Sequence, residues 1–278
     1  MNSETMFNWR AALRVIFLLL MTTVILLPLS ITVFGGFKSL GELRISPIGL
    51  PHEWVLSNYA DILGSGEFWG YLRNSLTISV SCVVLTLIIS GMAAYCFAQL
   101  HFFGKKMLFA YFTVGMMFPF ATAILPLFIK IRDLGLLDSP AGVIFPQVAF
   151  GLAFSMMLFR GFFEQLPKEL FEAAQIDGIG YMGFFFRFTL PLSVPILSTV
   201  ATFVFVQSWN NFLLPLVVLN EQPAYTWTLG MMQYRGAYMT DWSRVLAFVT
   251  LTMVPAVVFF FAAQKYIVAG LTGGAVKG

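Results

Sequence analysis

The sequence predicts an all-α polytopic membrane protein with six transmembrane helices. Three observations carry this. Charged residues make up only 10% of the 278 residues and hydrophobic residues 59%, against roughly a quarter charged and about half apolar in a soluble domain. Six stretches without Asp, Glu, Lys or Arg, at 15–37, 74–104, 107–129, 139–159, 188–220 and 245–264, each reach the about 20 residues that a membrane-crossing helix needs. The apolar runs are continuous, as in Leu18-Leu19-Leu20-Met21 and Phe259-Phe260-Phe261, unlike the alternating strands of a membrane barrel. Too few charges remain to coat a water-facing globule of this size. That excludes a disordered chain, a basic nucleic-acid-binding domain and most soluble enzymes. A net charge of +3 gives no reason to invoke a polyanionic partner.

The spans are expected at roughly 15–36, 75–98, 107–129, 140–160, 193–219 and 245–266. Span 1 follows Arg10 and Arg14, as a signal peptide would. Its apolar run is longer than a usual signal core and no clear small-x-small cleavage site follows, so an uncleaved first helix is the better reading. Between spans 1 and 2, Trp54, Tyr59, Trp69 and Tyr71 read as an interfacial aromatic belt. Span 2 carries Cys82 and Cys96. Fourteen residues of helix separate them by about 21 Å, whereas a disulfide needs Cα atoms within about 7 Å. They are expected to be unbridged. Pro28, Pro119, Pro126, Pro146, Pro215 and Pro255 fall within the spans and are placed to kink them. With six spans, both termini share a side that holds nine Lys and Arg residues against seven on the other. The positive-inside rule makes that side the cytoplasm.

Several chemistries are missing. No G-x-x-x-x-G-K-[ST] occurs; Gly104-Lys105-Lys106 lacks the upstream glycine. The two histidines, His52 and His101, fall in loops on opposite sides of the membrane, which disfavours a histidine metal site or nucleophile. Spans 1, 2, 3 and 5 have no ionisable residue at their centres, and Arg160 and Lys265 lie near span ends where snorkelling explains them. An ion-coupled transporter or an intramembrane enzyme would be expected to carry such groups. A transport role would draw its energy from another subunit.

The loop between spans 4 and 5 is the exception. Over 160–191 it gathers Arg160, Glu164, Lys168, Glu169, Glu172, Asp177 and Arg187. Its centre, Pro167-Lys168-Glu169-Leu170-Phe171-Glu172-Ala173-Ala174-Gln175-Ile176-Asp177-Gly178, predicts a short helix. Proline suits the first turn, Glu169 favours the N-terminal dipole, and Gly178 suits a left-handed cap. Leu170, Ala173 and Ala174 are expected to form one small apolar face. So short a helix must pack on something, either its own span ends or a partner on the same side of the membrane.

Glu172-Ala173-Ala174, three residues, Gly178, nine residues, then Phe188-Thr189-Leu190-Pro191 resembles the E-A-A-x3-G-x9-I-x-L-P loop of binding-protein-dependent ABC importer permeases. Phe188 stands where isoleucine is usual. Asn74-Ser75-Leu76, Ile124-Leu125-Pro126-Leu127 and Ser208-Trp209-Asn210-Asn211-Phe212 extend the likeness, with Asn211 replacing a frequent acidic residue. The tail, residues 264–278 with its Gly270-Leu271-Thr272-Gly273-Gly274 core, is similar to that of maltose-type (MalG-like) carbohydrate permeases. The resemblance covers roughly residues 70–278.

It implies a type I importer (MetI-like) permease fold, divided into an N-terminal helix with its outer loop at 1–73 and a permease core at 74–278. It implies a coupling helix from Glu172 through Ala173, Ala174 and Asp177 to Gly178, docked on an ATPase, with Leu190 and Pro191 leading into span 5. Lys277 and Gly278 would lie near the ATPases. The implied partners are a second, different permease, two ATPase subunits carrying ATP and magnesium, and an extracytoplasmic solute-binding protein facing residues 221–244. No cofactor is expected on this chain. The implied location is a bacterial or archaeal inner membrane. A sugar or oligosaccharide is the implied solute, with a polyol or glycerol phosphate as the alternative.

Within spans 4 and 5, Gln147, Gln207, Asn210 and Asn211 are the amides, and Trp209 lies beside them. Buried amides in lipid need partners. They are read either as interhelical hydrogen bonds or as a sugar path, with Trp209 as a stacking platform or as ordinary packing.

Overall fold

The computed structural model describes residues 9–236 and 239–273. In chain order the helices are α1 (Trp9–Gly35), α2 (Leu40–Ile45), α3 (Ser57–Gly64), α4 (Gly66–Gln99), α5 (Lys105–Val114) and α6 (Phe120–Asp133). They continue with α7 (Pro140–Phe163), α8 (Lys168–Ile176), α9 (Tyr181–Phe184), α10 (Leu190–Leu192) and α11 (Val194–Trp209). Last come α12 (Leu213–Val218), α13 (Trp227–Gly230) and α14 (Trp242–Gly273). The one β-type pairing among the described residues is an isolated bridge between Arg235 and Thr240.

Four of these helices, α1, α4, α7 and α14, are continuous and long and apolar enough to cross a bilayer. The other two spans are bent pairs, which brings the number to six when each pair counts once. Span 3 was expected as one helix over 107–129. Instead α5 runs into a 3-10 turn, Gly115–Met117, and α6 departs at 99°. Pro119 is the cause. It has no N–H to continue the ladder, and it pushes Phe118 to an extended φ of −78° and ψ of 119°.

Span 5 was expected to run from 193 to 219. The helix α11 ends at Trp209, and α12 is a separate short turn beginning at Leu213. The asparagines between them divert the ladder. Asn210 Nδ2 donates to the Val206 carbonyl at 2.8 Å, and Asn211 Oδ1 accepts the Leu214 N–H at 3.2 Å, capping α12. On its other side α11 meets the segment Tyr181–Leu192 at 79°. That segment contains a π turn, Phe185–Thr189.

The chain forms two compact units. The first comprises residues up to Gly66 together with Met231–Met253. Here the end of α1 packs against the start of α14. A Cβ on Gly36 would lie 2.8 Å from the Ala247 backbone, so only glycine permits the approach. Tyr59 donates to the Val33 carbonyl at 2.9 Å and its ring lies 4.2 Å from Phe37. Asn58 Nδ2 donates to the carbonyls of Gly36 and Lys38 at 3.0 and 3.1 Å. Lys38 is fully buried and its Nζ donates to the Ser46 carbonyl at 2.7 Å, closing the C-terminal end of α2.

The second unit comprises Glu67–Gly230 and residues from Val254. Its core is built from Phe159 and Phe163 of α7, Val143, Val200, Leu214 and Val218, all buried. Residue 73, the expected domain limit, lies within α4. The aromatic belt reading splits. Trp54 and Trp69 are 53% and 54% exposed, as an interfacial anchor requires, whereas Tyr71 is buried and accepts Gln222 Nε2 at 2.8 Å. Cys82 and Cys96 are free thiols.

Candidate functional site

Two places in the second unit gather the residues singled out from the sequence. The first is the loop between α7 and α8 through α10. The Arg160 Nε donates to Glu164 Oε1 at 2.7 Å and its guanidinium lies 4.0 Å from the Phe109 ring, so it is held in place by more than snorkelling. Helix α8 starts after Pro167, which stands at the N-cap rather than inside the first turn. It ends as its glycine predicts. Gly178 has φ of +74°, its N–H reaches the Gln175 carbonyl at 3.0 Å, and the Ile179 N–H reaches the Ala174 carbonyl at 2.8 Å. These two bonds form a Schellman cap.

The expected apolar face of α8 is divided. Ala174 is buried, and Phe171 packs on Tyr181 and Phe184 at 5.2 and 5.0 Å. Leu170 and Ala173 are exposed with Ile176, which is 87% exposed. Residues 170, 173 and 176 share one side at three-residue spacing, whereas 171 and 174 share the next. Glu172 and Asp177 are exposed, and no ion pair among the described residues includes either. The helix packs on its own chain with one side and presents the other.

The packed side continues inward. Phe184 stacks on Phe188 at 5.2 Å, Tyr95 of α4 lies 5.1 Å from Phe185, and Tyr95 donates to the Tyr181 carbonyl at 3.0 Å. Leu190 and Pro191 form α10 immediately before the bend into α11. The tail at Lys277 and Gly278 lies outside the described residues.

The second place is a cavity of about 500 Å³, in the range of small-ligand sites. It is walled by α4, α7, α11 and the break between α5 and α6. Gln147, Gln207 and Asn211 all line it. Trp209 and Asn210 do not. Trp209 is buried, stacked on Phe205 at 5.6 Å, with its carbonyl accepting Trp227 Nε1 at 2.6 Å. Asn210 is exposed and caps α11. Both hold the junction between α11 and α12.

The cavity also contains a polar group the sequence did not single out, Thr86. Thr86 Oγ1 and Gln147 Nε2 are both buried, and neither has a hydrogen-bond partner among the described residues. An unpaired buried polar atom costs about 1–3 kcal/mol. A threonine within a span reads as bonded to the carbonyl four residues back, so only the tertiary structure reveals Thr86. The phenylalanines were hidden in the same way, as ordinary apolar residues. Phe120 and Phe150 meet edge to face at 4.9 Å, and Phe154 and Phe203 at 4.5 Å.

Two elements near the other end of α4 explain further sequence signals. Asn74 Nδ2 donates to the carbonyls of Pro223 and Tyr225 at 2.7 and 3.0 Å, and Ser75 Oγ accepts the Trp227 N–H at 2.8 Å. Asp138, at a left-handed φ of 55°, accepts the N–H groups of Glu221 (2.8 Å) and Asn220. The hydrogen bond from Glu221, with that from Asn220, holds the Asp138 carboxyl below its ordinary value against a smaller opposing effect of burial. Among the described residues no cluster of His, Cys, Asp and Glu could hold a metal ion.

Residues 86–273 match the family described as binding-protein-dependent transport system inner membrane component. The chain is 33% identical to the diacetylchitobiose uptake system permease protein NgcG of Streptomyces coelicolor, over 96% of this chain and 89% of that one. It is 36% identical to the arabinooligosaccharides transport system permease protein AraQ of Halalkalibacterium halodurans, over 90% and 91%. Its fold superposes on a chain of a bacterial ABC transporter involved in the import of the acidic polysaccharide alginate. The TM-score is 0.81 at 21% identity, covering 96% of this chain and 99% of that one.

Proposed function

The chain belongs to the family of binding-protein-dependent transport system inner membrane components, and we propose that it is the sugar- or oligosaccharide-importing permease of an ABC transporter, driven through α8. The names of the similar permeases, which take up diacetylchitobiose and arabinooligosaccharides, support the solute class. The observation that carries the mechanism is the division of α8 into a fixed side and an open side.

The open side, with Leu170, Glu172, Ala173 and Ile176, docks in a groove of a cytoplasmic ATPase subunit, which binds the ATP and magnesium. The alanine permits close approach and the isoleucine supplies apolar area. The fixed side passes displacement on. Phe171 pushes Phe184, Phe184 pushes Phe188, and the segment pivots at the bend before α11. Helix α11 carries Phe203 and Gln207 of the cavity wall, so movement at α8 reshapes the cavity. In this arrangement both termini are cytoplasmic, a second permease completes the pathway, and residues 221–244 face an extracytoplasmic solute-binding protein. The description of a similar solved assembly, an alginate transporter in complex with a periplasmic protein carrying an alginate pentasaccharide, supports the last point for this fold.

The test is Glu172→Lys and Gly178→Val in the complete importer, reconstituted with its ATPases and binding protein in liposomes. The first reverses a charge on the open side. The second places a β-branched residue at φ of +74°, a strain of about 1–2 kcal/mol. Each is expected to lower ATP-driven uptake about tenfold or more, a coupling loss of at least about 1.4 kcal/mol. It should also abolish stimulation of ATP hydrolysis by the loaded binding protein. Normal uptake and normal ATPase co-purification in both variants overturn the reading.

A further inference from the structure

We infer that this chain itself contacts the passing solute, through Gln147 and Thr86, and that the cavity selects an uncharged sugar. The inference rests on the transport reading above and names the solute chemistry of its cavity. Three features of the cavity converge on it.

The first is unmet polarity. Gln147 Nε2 and Thr86 Oγ1 come from different helices, α7 and α4. Both residues line the same space, and both atoms are buried without a partner among the described residues. In a packed membrane protein such groups pair across helices. Here they stay unpaired inside the cavity wall, so a solute hydroxyl that reached them would meet a donor and a donor-acceptor already stripped of water. Gln207 and Asn211 add further amide groups at the same cavity.

The second is apolar surface of a particular kind. Phe120, Phe150, Phe154 and Phe203 contribute ring surface to the lining. A pyranose or furanose ring carries its hydroxyls around the rim and C–H groups on its faces. Amide plus aromatic ring is therefore the lining that fits it: polar groups for the rim, π surface for the face.

The third is charge. Among the described residues that line the cavity none is Asp, Glu, Lys, Arg or His. A carboxylated sugar or a phosphate ester would lose its hydration there and find no cation, which is strongly unfavourable in a low-dielectric space. Charge thus separates glycerol phosphate from the other solutes the sequence left open, a sugar and a polyol, and the ring surface favours the sugar. A neutral sugar fits, whereas glycerol phosphate does not.

The experiment uses the complete importer in liposomes and two readouts, uptake and binding-protein-stimulated ATP hydrolysis. The solutes are arabinotriose, diacetylchitobiose and maltotriose, with an alginate trisaccharide as the anionic counterpart. The variants are Gln147→Leu and Thr86→Val, each close in volume to the residue replaced, with Gln147→Glu as a second, polar replacement. Folding is checked by thermal unfolding of the purified complex. The expected result is uptake of a neutral sugar and none of the alginate trisaccharide. Uptake should fall about tenfold in Gln147→Leu, as when a site built to bond a hydroxyl loses its partner, while stimulated ATP hydrolysis stays at the wild-type level.

Uptake unchanged in all three variants overturns the inference, because the solute contacts then belong to the second permease or the cavity holds only water. Uptake of the anionic trisaccharide, or of no neutral sugar, overturns it as well. Uptake and stimulated hydrolysis falling in parallel overturns it too, because Gln147 then serves assembly. Failure of the coupling reading has a different signature. It leaves Glu172→Lys with normal stimulated hydrolysis, whatever Gln147 does.

Discussion

The two ends of α4 hold their neighbouring loops by different means. Near its start, Asn74 and Ser75 fix three backbone groups of residues 223–227 with side-chain hydrogen bonds. Near its end, Gly91 and Tyr95 meet Phe185, and the polar ties among the described residues are Tyr95 to the Tyr181 carbonyl and Gln99 to the Phe163 carbonyl at 3.4 Å. The first attachment is directional and specifies position. The second is mostly ring surface, which tolerates sliding better than a hydrogen bond does. One helix therefore pins the loop proposed to face the binding protein and cushions the loop proposed to meet the ATPase. A subunit that transmits movement needs one fixed reference and one compliant joint, and α4 supplies both.

The largest test of this contrast is Tyr95→Ala. It removes a buried ring and should destabilise the chain by about 3–5 kcal/mol, lowering the unfolding temperature in detergent and exposing 177–185 to protease. Asn74→Ala comes next. It leaves the Pro223 and Tyr225 carbonyls without their donor, a loss of about 1–3 kcal/mol. Its signature should be local, faster proteolysis within 219–230 with the 160–191 loop still protected. Tyr95→Phe keeps the ring and drops one hydrogen bond, so its cost should be about 1 kcal/mol. If Tyr95→Phe proves as damaging as Tyr95→Ala, the attachment is polar after all and the contrast between the two ends fails.

The smallest effect is the acid response of Asp138. Its carboxyl titrates below its ordinary value when folded. The stabilisation is therefore present above the unfolded-state value of about 3.9 and is lost as pH falls below it towards the folded value. Acid unfolding followed at 219–230 should show this limb, and Asp138→Asn, which keeps an acceptor oxygen, should flatten it.

The spans were legible because lipid leaves little choice of residue, and the boundaries were less so. Helix α4 starts at Gly66, ahead of the expected residue 75, and runs through Glu67 and Arg73. Charge marks where lipid ends, not where helix ends. The break at Pro119 was visible only as a possible kink, since proline in a membrane helix bends it by an amount its neighbours decide. In the loop, Gly178 gave the C-terminal end of α8 correctly, because a cap is local chemistry, whereas Pro167 stands just outside the first turn it was expected to occupy. The facing of α8 was not legible. Leu170 and Phe171 are both apolar neighbours, and only the position of Tyr181 and Phe184 selects Phe171 for burial.

The cavity was half legible. Gln147, Gln207 and Asn211 stood out as amides in apolar runs, but so did Asn210, which caps α11, and Trp209, which packs beneath the loop. Sequence marks a polar residue in a span as needing a partner. It does not say whether the partner is the chain's own backbone.

The π turn at Phe185–Thr189 has a consequence for which kinds of mutation this protein can absorb. A π turn accommodates one residue more than the α-helical ladder around it, closing i→i+5 bonds in place of i→i+4. The extra residue is wound into a wider turn, so the helix on either side keeps its azimuth. Deleting one residue from 185–189 and restoring plain α geometry would therefore leave Tyr181 and Phe184 close to their present facing relative to α10, whereas the same deletion in an unbroken α segment would rotate one flank by about 100°. The loop thus has one place where chain length can change without turning the partner surface of Phe171 away, and substitution scans of the loop would never sample it.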